Sequence, residues 1–436
     1  MKLSSRAFGL VGRPLFAAVW MLASWAHATS PPNIVFILAD DQAWNGTSVP
    51  MIPGEDVSRN RVFQTPQLER LASQGMTFSQ AYAAHCKCEC SRASIQMGRT
   101  TTTLNSPDKT ARRWSAPVTE SIANVLKRAN PAYRTAHLGK WQWFHTPESM
   151  GYDVSDGITM NEDGNSTDPV DPKRSFSITR RAQEFMGARH RAGHPFFIQI
   201  SYYAVHPQPQ ALEATIRKYH DMGQQGARGD RAVMAAMTED LDTCVGGLMK
   251  TLDDLKTAGN TLVIYTSDNG GRTNYLRGGK GNLDEGGIRV PLIVRGPGIK
   301  GGTSCSIPVI SYDLTATVLD FAAPGFALPK GMEGGSWKPL LVNGGQGEVT
   351  RPIDRFVWHQ AVEVEHPQSA IRKANYKLVH YWDTQETWLF DIEQDPREVR
   401  NLASENQNLT AQLQQELQGH LRAGLVQHAL EALMKR

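Results

Sequence analysis

The chain has 436 residues, with 46 Lys and Arg against 43 Asp and Glu, 40% hydrophobic and 20% charged residues, and a formal net charge of +3. That length buries a large core and suits one large domain plus a smaller one. The near balance of charge gives no global support for nucleic-acid or acidic-membrane binding.

Lys2, Arg6 and Arg13 precede an apolar run from Leu15 to Trp25 and then Ala26-His27-Ala28. This reads as a secretory signal peptide spanning residues 1–28. Its three cations are the whole excess, so +3 becomes 0 for the mature chain. The run is too short to span a membrane and no other stretch approaches eighteen apolar residues, so no stable membrane insertion is expected.

Asn33 to Ala39 reads as a central strand covered on both faces, and it ends in Asp40-Asp41. Thr65-Pro66 opens a helix from Gln67 to Ser73, and Met76 to Tyr82 reads as a strand. Val118 to Arg128 has helical spacing, and Tyr133 to His137 returns to the sheet before Gly139-Lys140-Trp141. Residues 151–175 form a long polar loop, Ser177 to Gly187 a helix, and Pro195 to Tyr202 a buried strand. Ala232 to Leu255 is a long helix, and Asn260 to Ser267 is a strand ending at Asp268-Asn269-Gly270. Alternating strands and helices predict an α/β sandwich with a large, mostly parallel sheet. From about Gly331 the texture changes to short strands (Phe356–His359, Tyr376–Tyr381, Thr387–Asp391) and a helix from Leu409 to Leu433. This predicts a smaller C-terminal α+β domain with an antiparallel sheet, with boundaries 29–335 and 336–436.

Asp40, Asp41, Asp268 and Asn269 follow two predicted strands, at the sheet edge where ligands collect. Adjacent buried aspartates are costly without a cation. A hard divalent metal held by carboxylate and amide oxygens resolves that cost; Ca2+ suits an exported protein and Mg2+ is the alternative. The bland reading is a pair of turns.

Five cysteines in an exported protein leave at least one unpaired within the monomer. Cys244 and Cys305 are either buried thiols or one disulfide, and a Cys86–Cys90 bridge is conceivable in an oxidising compartment. The one-residue spacing of Cys86, Cys88 and Cys90 is a poor match to a zinc knuckle.

Cys88-x-Cys90-Ser91-Arg92 followed by Gly98-Arg99 resembles the signature of the type I sulfatases. The ordered blocks around it agree: Asn33 to Asp41, Tyr133 to Trp141, Ser201 to His206, Ser267 to Gly270, Leu276 to Pro291, and Leu389 to Leu402. The resemblance implies an alkaline-phosphatase-like fold and hydrolysis of sulfate esters. It implies that Cys88 is oxidised to formylglycine by a maturation enzyme, with Arg92 binding the aldehyde hydrate. Lys140 and Lys280 would grip sulfate oxygens, and His206 would serve the departing alcohol. Two departures stand out. Cys90 replaces the usual Pro or Ala, and Gln142 replaces a histidine that abstracts a proton during sulfate release. Gln142 can hydrogen-bond but is no general base near neutral pH. His137 and His145 are the nearby candidates to take over.

The alcohol is read by loops 100–117, 145–176, 206–229 and 359–372. Their candidate substrate residues are Arg113, Trp114, His145, Asp153, His359, His366 and Arg372, with Arg112, Asp156, Asn161 and Glu162 beside them. This mixture suits a sulfated oligosaccharide or polysaccharide handled in the periplasm or outside a bacterium. A small-molecule arylsulfatase, a phosphoester or phosphonate hydrolase, and a catalytically impaired glycan-binding protein are the alternatives.

Overall fold

Strand β1 (Asn33–Ala39) is the spine of the molecule. Its alternate residues Ile34, Phe36 and Leu38 enter one buried cluster, while Val35, Ile37 and Ala39 enter another on the opposite face. Helices on both sides bury both faces, each large apolar side chain contributing roughly 1.5–3 kcal/mol. The computed structural model describes Met1 and residues 30–104, 116–224, 230–272, 275–361 and 364–424. The rest of the predicted leader and the end of the predicted C-terminal helix (425–433) lie outside these residues, and the fold is that of the described residues between 31 and 424.

In chain order the following strands are β2 (Met76–Phe78), β3 (Ala81–Tyr82), β4 (Arg134–Gly139), β5 (Val154–Ser155), β6 (Phe196–Ser201) and β7 (Thr261–Ser267). Then come β8 (Leu292–Arg295), β9 (Thr303–Cys305) and β10 (Val309–Ile310). The main sheet has eight strands in the order β5-β4-β6-β1-β7-β8-β2-β9. Neighbours from β5 to β7 are parallel, and β8 runs against both β7 and β2. The helices of this body, in chain order, are α1 (Pro66–Ser73), α2 (Cys88–Met97), α3 (Ile122–Ala129), α4 (Ser175–Arg191), α5 (Glu213–Asp221), α6 (Asp230–Asp254), α7 (Glu285–Ile288), α8 (Leu314–Ala322) and α9 (Lys338–Val342). Residues of α1, α4 and α6 pack in the Val35 cluster, and those of α2, α3, α8 and α9 in the Ile34 cluster.

Four antiparallel strands form the C-terminal sheet: β11 (Phe356–Gln360), β12 (Gln368–Lys373), β13 (Tyr376–Tyr381) and β14 (Thr387–Asp391). One face packs on α10 (Gln407–Gly424) through Val357, Ile371, Leu378, Leu413 and Leu417. The other packs against Tyr82, Leu283, Ile288 and Tyr312 of the main body. A buried ionic network reinforces that seam. Lys377 Nζ lies 3.1 Å from Glu285 Oε1 and 2.8 Å from Glu398 Oε1, and Tyr82 OH donates to Glu285 Oε2 at 2.7 Å.

Most predicted elements are present, with the following differences. The run from Met76 to Tyr82 is not one strand: after Phe78 the chain leaves the main sheet, and Ala81–Tyr82 pairs with β10 instead. The helical pattern from Val118 breaks at Ser121, whose extended backbone separates a 3-10 turn from α3 and whose Oγ donates to Met150 O at 2.7 Å. Strands β5, β8 to β10 and β12, and helices α2, α5 and α7 to α9, are not among the predicted elements, and no cysteine is joined in a disulfide, so neither candidate bridge is present.

Candidate active site

Strands β1 and β7 pair in parallel register, Ala39 opposite Ser267. The residues that follow, Asp40-Asp41 and Asp268-Asn269, therefore emerge side by side at one sheet edge. Asp41 adopts a left-handed backbone (φ 60°), a region that aspartate tolerates better than most residues. All four side chains are buried. Ligand atoms from Asp40, Asp41, Asp268 and Cys88 all lie within 4.8 Å of one another. Asn269 Nδ2 donates to Asp41 Oδ1 at 2.8 Å, whereas its Oδ1 is buried without a hydrogen-bond partner. A buried, unpartnered amide oxygen beside three carboxylates fits a hard cation.

Cys88 opens helix α2, with Lys87 as its extended N-cap. The Cys88 sulfur sits 3.4 Å from Asp40 Oδ1 and 3.6 Å from Asp41 Oδ1, and Lys280 Nζ donates to it at 3.1 Å. Burial, together with the Asp268 and Asp40 carboxylates, pushes the thiol well above its ordinary value, so the unmodified side chain is a neutral thiol and a poor nucleophile. One turn along the helix, Arg92 reaches back across the pocket. Its Nε donates to Asp268 Oδ2 at 2.8 Å and its Nη1 to Lys140 O at 2.6 Å.

Lys140 follows β4, and Gly139 explains how. Its φ is +91°, and a Cβ there would stand 2.1 Å from Ser201 O, so only glycine permits the turn against β6. Lys140 is fully buried and its Nζ donates to Asp40 Oδ2 at 2.6 Å. Lys280 comes from the glycine-rich loop after β7, its Nζ lying 2.6 Å from Asp41 Oδ1. Burial opposes the charge on Lys280, yet the Asp41 and Asp40 carboxylates outweigh it and raise its pKa. Burial likewise favours neutral Asp40, but Lys140 and Arg92 prevail and its carboxyl is held below the usual range. Asp268 goes the other way, raised by burial and by Asp40. His206 Nε2 lies 3.9 Å from Asp41 Oδ2, and burial lowers its pKa.

Gln142 sits two residues past Lys140 with φ 56°. Its Nε2 points to Asn161 Oδ1 at 3.5 Å, and its Oε1 is buried without a hydrogen-bond partner. Neither nearby histidine joins the cluster. His137 is sealed among Trp141, Tyr152 and Ser201 and burial drives its pKa down to about 3, while His145 packs on Phe144 and Trp143.

The predicted substrate residues are dispersed. Arg112, Arg113 and Trp114 lie outside the described residues. Asp153 binds Thr135 N at 2.8 Å and Lys127 Nζ at 2.5 Å, at the start of β4 rather than at the end that leads to Lys140. Asp156 accepts from Gly139 N at 2.7 Å and so braces the turn before Lys140. Glu162 is exposed on the same long loop as Asn161. Arg372 bonds Tyr82 OH and Gln80 Oε1 at the seam between the sheets. His366 is exposed and paired with Asp383 at 2.6 Å. His359 is buried in β11, its Nδ1 2.7 Å from Ser369 Oγ. Lys173 was missed. It is buried, with Nζ donating to Asn165 Oδ1 at 3.1 Å and Pro207 O at 3.3 Å, and it feels the charges of Asp40 and Asp41. Its setting in Asp171-Pro172-Lys173-Arg174 reads only as a polar loop.

Among the described residues no helix is long and apolar enough to cross a membrane. Residues 32–324 match the sulfatase family, and residues 279–424 match the N-sulphoglucosamine sulphohydrolase C-terminal family. An N-acetylglucosamine-6-O-sulfatase of Bacteroides thetaiotaomicron is 23% identical over 88% of this chain and 86% of its own. Human arylsulfatase A is 28% identical over 86% and 79%. The crystal structure of Ps i-CgsB superposes with a TM-score of 0.77 at 24% identity, covering 91% of this chain and 94% of that one. BT4656, solved in complex with its substrate D-glucosamine-2-N,6-O-disulfate, gives 0.71 at 20% identity, covering 90% and 99%. With two thirds of its length matched to that family, and the family's motifs converging on one buried edge of the sheet, the chain belongs to the sulfatases, hydrolases of sulfuric esters.

Proposed function

We propose that the protein is an exported glycan sulfatase that cleaves sulfate from a sugar hydroxyl, using formylglycine made from Cys88 and a divalent cation held by Asp40, Asp41, Asp268 and Asn269. One observation carries the reading: Cys88 at the start of α2 lies within hydrogen-bonding reach of Asp40, Asp41 and Lys280, beside an unpartnered Asn269 oxygen. Three carboxylates face three cations, Arg92, Lys140 and Lys280, so the pocket is formally neutral. A bound divalent cation, Ca2+ in preference to Mg2+, would leave it positive and supply Lewis acidity to an anionic ester. Formylglycine would supply what a neutral thiol lacks, a paired hydroxyl of which one member attacks sulfur and the other later expels sulfate.

The chain's own residues do the rest. Arg92 ties the nucleophile's helix to Asp268 and to the carbonyl of Lys140, fixing three parts of the pocket together. Lys140 and Lys280 bring ammonium groups to the place where sulfate oxygens gain charge. His206 holds or passes the proton of the departing alcohol.

A sugar substrate is supported by the names of the relatives, an N-acetylglucosamine-6-O-sulfatase and N-acetylgalactosamine-6-sulfatases among them. The predicted domains, 29–335 catalytic and 336–436 contributing to the pocket, belong to the same proposal, as do the signal peptide and a formylglycine-generating maturation enzyme as partner. Gln142 favours a second reading, slow turnover or binding without release, because an amide replaces the family's base there.

The test offers defined sulfated mono- and oligosaccharides, an aryl sulfate and a phosphate monoester, and measures the inorganic anion released. Sulfate release that discriminates among sugars is expected. Cleavage of the aryl sulfate alone would make the protein a small-molecule arylsulfatase, phosphate release would make it a phosphohydrolase, and binding without release would favour the second reading.

A further inference from the structure

We propose that His85 is a positioning residue that fixes the start of the Cys88 helix against the C-terminal sheet; this rests on the proposed role of Cys88 as the nucleophile's source. His85 is buried, three residues before Cys88, and both ring nitrogens are engaged. Its Nδ1 accepts from Lys87 N at 3.1 Å. The other nitrogen, Nε2, must then carry the proton, and it donates to His359 O in β11 at 2.9 Å.

The placement matters because of what Lys87 is. It is the N-cap of α2, it makes no side-chain cap bond, and the next residue is Cys88. Lysine has no acceptor with which to close a helix start. The imidazole therefore bridges the residue entering the helix and the main chain of another sheet. The same segment is pinned at two further points. Trp358 Nε1 donates to Ala83 O at 2.9 Å, and Gly281 N donates to Cys86 O at 3.0 Å. The C-terminal sheet and the Lys280 loop thus hold residues 83–86, and the His85 ring transmits that hold to Lys87. Burial supports the assignment by keeping the imidazole neutral, its pKa pushed down to about 4.

The test compares His85→Phe, His85→Gln and His85→Asn. A glutamine offers one acceptor and one donor at a span near that of imidazole; asparagine is too short to reach both partners. With turnover normalised to the formylglycine content of each preparation, kcat in His85→Phe and His85→Asn should fall on the order of 10- to 100-fold, the scale of a misplaced nucleophile, with KM within about twofold. His85→Gln should recover most of the loss. Amide exchange at residues 87–90 should quicken in the two defective variants and not in His85→Gln. Equal kcat in all four proteins, or a loss that glutamine does not rescue, would overturn the proposal. If His85→Phe fails to fold, the contrast between Gln and Asn carries the same test. If the wild-type protein releases no sulfate, the functional reading fails instead, and the exchange rates still decide whether His85 positions the helix.

Discussion

Replacing Lys140 with methionine keeps the length of the side chain and deletes its charge. The Lys140 Nζ lies 2.6 Å from Asp40 Oδ2, and both residues are fully buried. Without a bound metal, the next cation to Asp40 is Arg92, whose Nη2 is 3.8 Å away and whose firmer bond is to Asp268. Breaking a buried pair on one side leaves an uncompensated charge and costs about 3–5 kcal/mol. The pH dependence has a definite sign. Burial raises the Asp40 pKa, but Lys140 and Arg92 outweigh it, so the folded value lies below the ordinary 3.8. A depressed carboxyl stabilises the fold above its unfolded pKa and loses that contribution as pH falls through the folded value. Lys140→Met removes the larger of the two opposing cations. In the cation-free protein the stability gap between wild type and variant should therefore be widest near neutrality and close only as pH falls through the folded value, below the ordinary 3.8. Urea unfolding of the chelated protein at pH 7 and at about pH 3 measures it, and kcat/KM of the metal-loaded protein for a sulfated sugar should fall on the order of 100- to 1,000-fold. A stability loss under about 1 kcal/mol, or one that does not change with pH, would refute the assignment of Lys140 as the partner of Asp40.

Gln142→His should accelerate sulfate release in single-turnover experiments on the order of 10-fold or more, by restoring a base at that position; an unchanged or lower rate would sink the argument. Chelating divalent cations from the holoprotein should abolish turnover and lower the unfolding temperature, and saturating Ca2+ at about 100 times its Kd should restore about 2.7 kcal/mol; a chelated protein of equal stability and activity would contradict the metal assignment. At the sheet seam, burial raises the Glu398 carboxyl although Lys377 opposes it. A carboxyl raised in the folded state costs stability as pH climbs past its unfolded value, so wild type should lose stability relative to Glu398→Gln between pH 5 and 9; parallel pH profiles would contradict this.

The sheet and the acidic cluster were legible because their causes are local. Ile34 to Ala39 is apolar at every position, as a strand buried on both faces must be, and Asp40 and Asp268 each follow directly on a strand. Lys140, His206 and Lys280 were found through their sequence blocks, and all three lie at the same carboxylates. Side chains whose roles depend on partners far along the chain were not legible. Arg372 is 290 residues from Tyr82, its partner at the seam, and nothing nearby in sequence separates it from a surface arginine. Asp153 has the composition of a sugar ligand, yet it caps β4 and pairs with Lys127. Strand β12 begins with Gln368-Ser369 and ends with Arg372-Lys373, so only its pairing with β11 and β13 reveals it. Lys173 and His85 escaped notice for the same reason, since the contacts that define them come from Pro207 and His359.

Mass mapping of the peptide that spans Cys86 to Arg92, taken from the purified protein, tests the central claim most directly. The account predicts a residue 88 that carries an aldehyde and is trapped by a hydrazide reagent. A thiol at residue 88 in protein that nonetheless releases sulfate at full rate would contradict it.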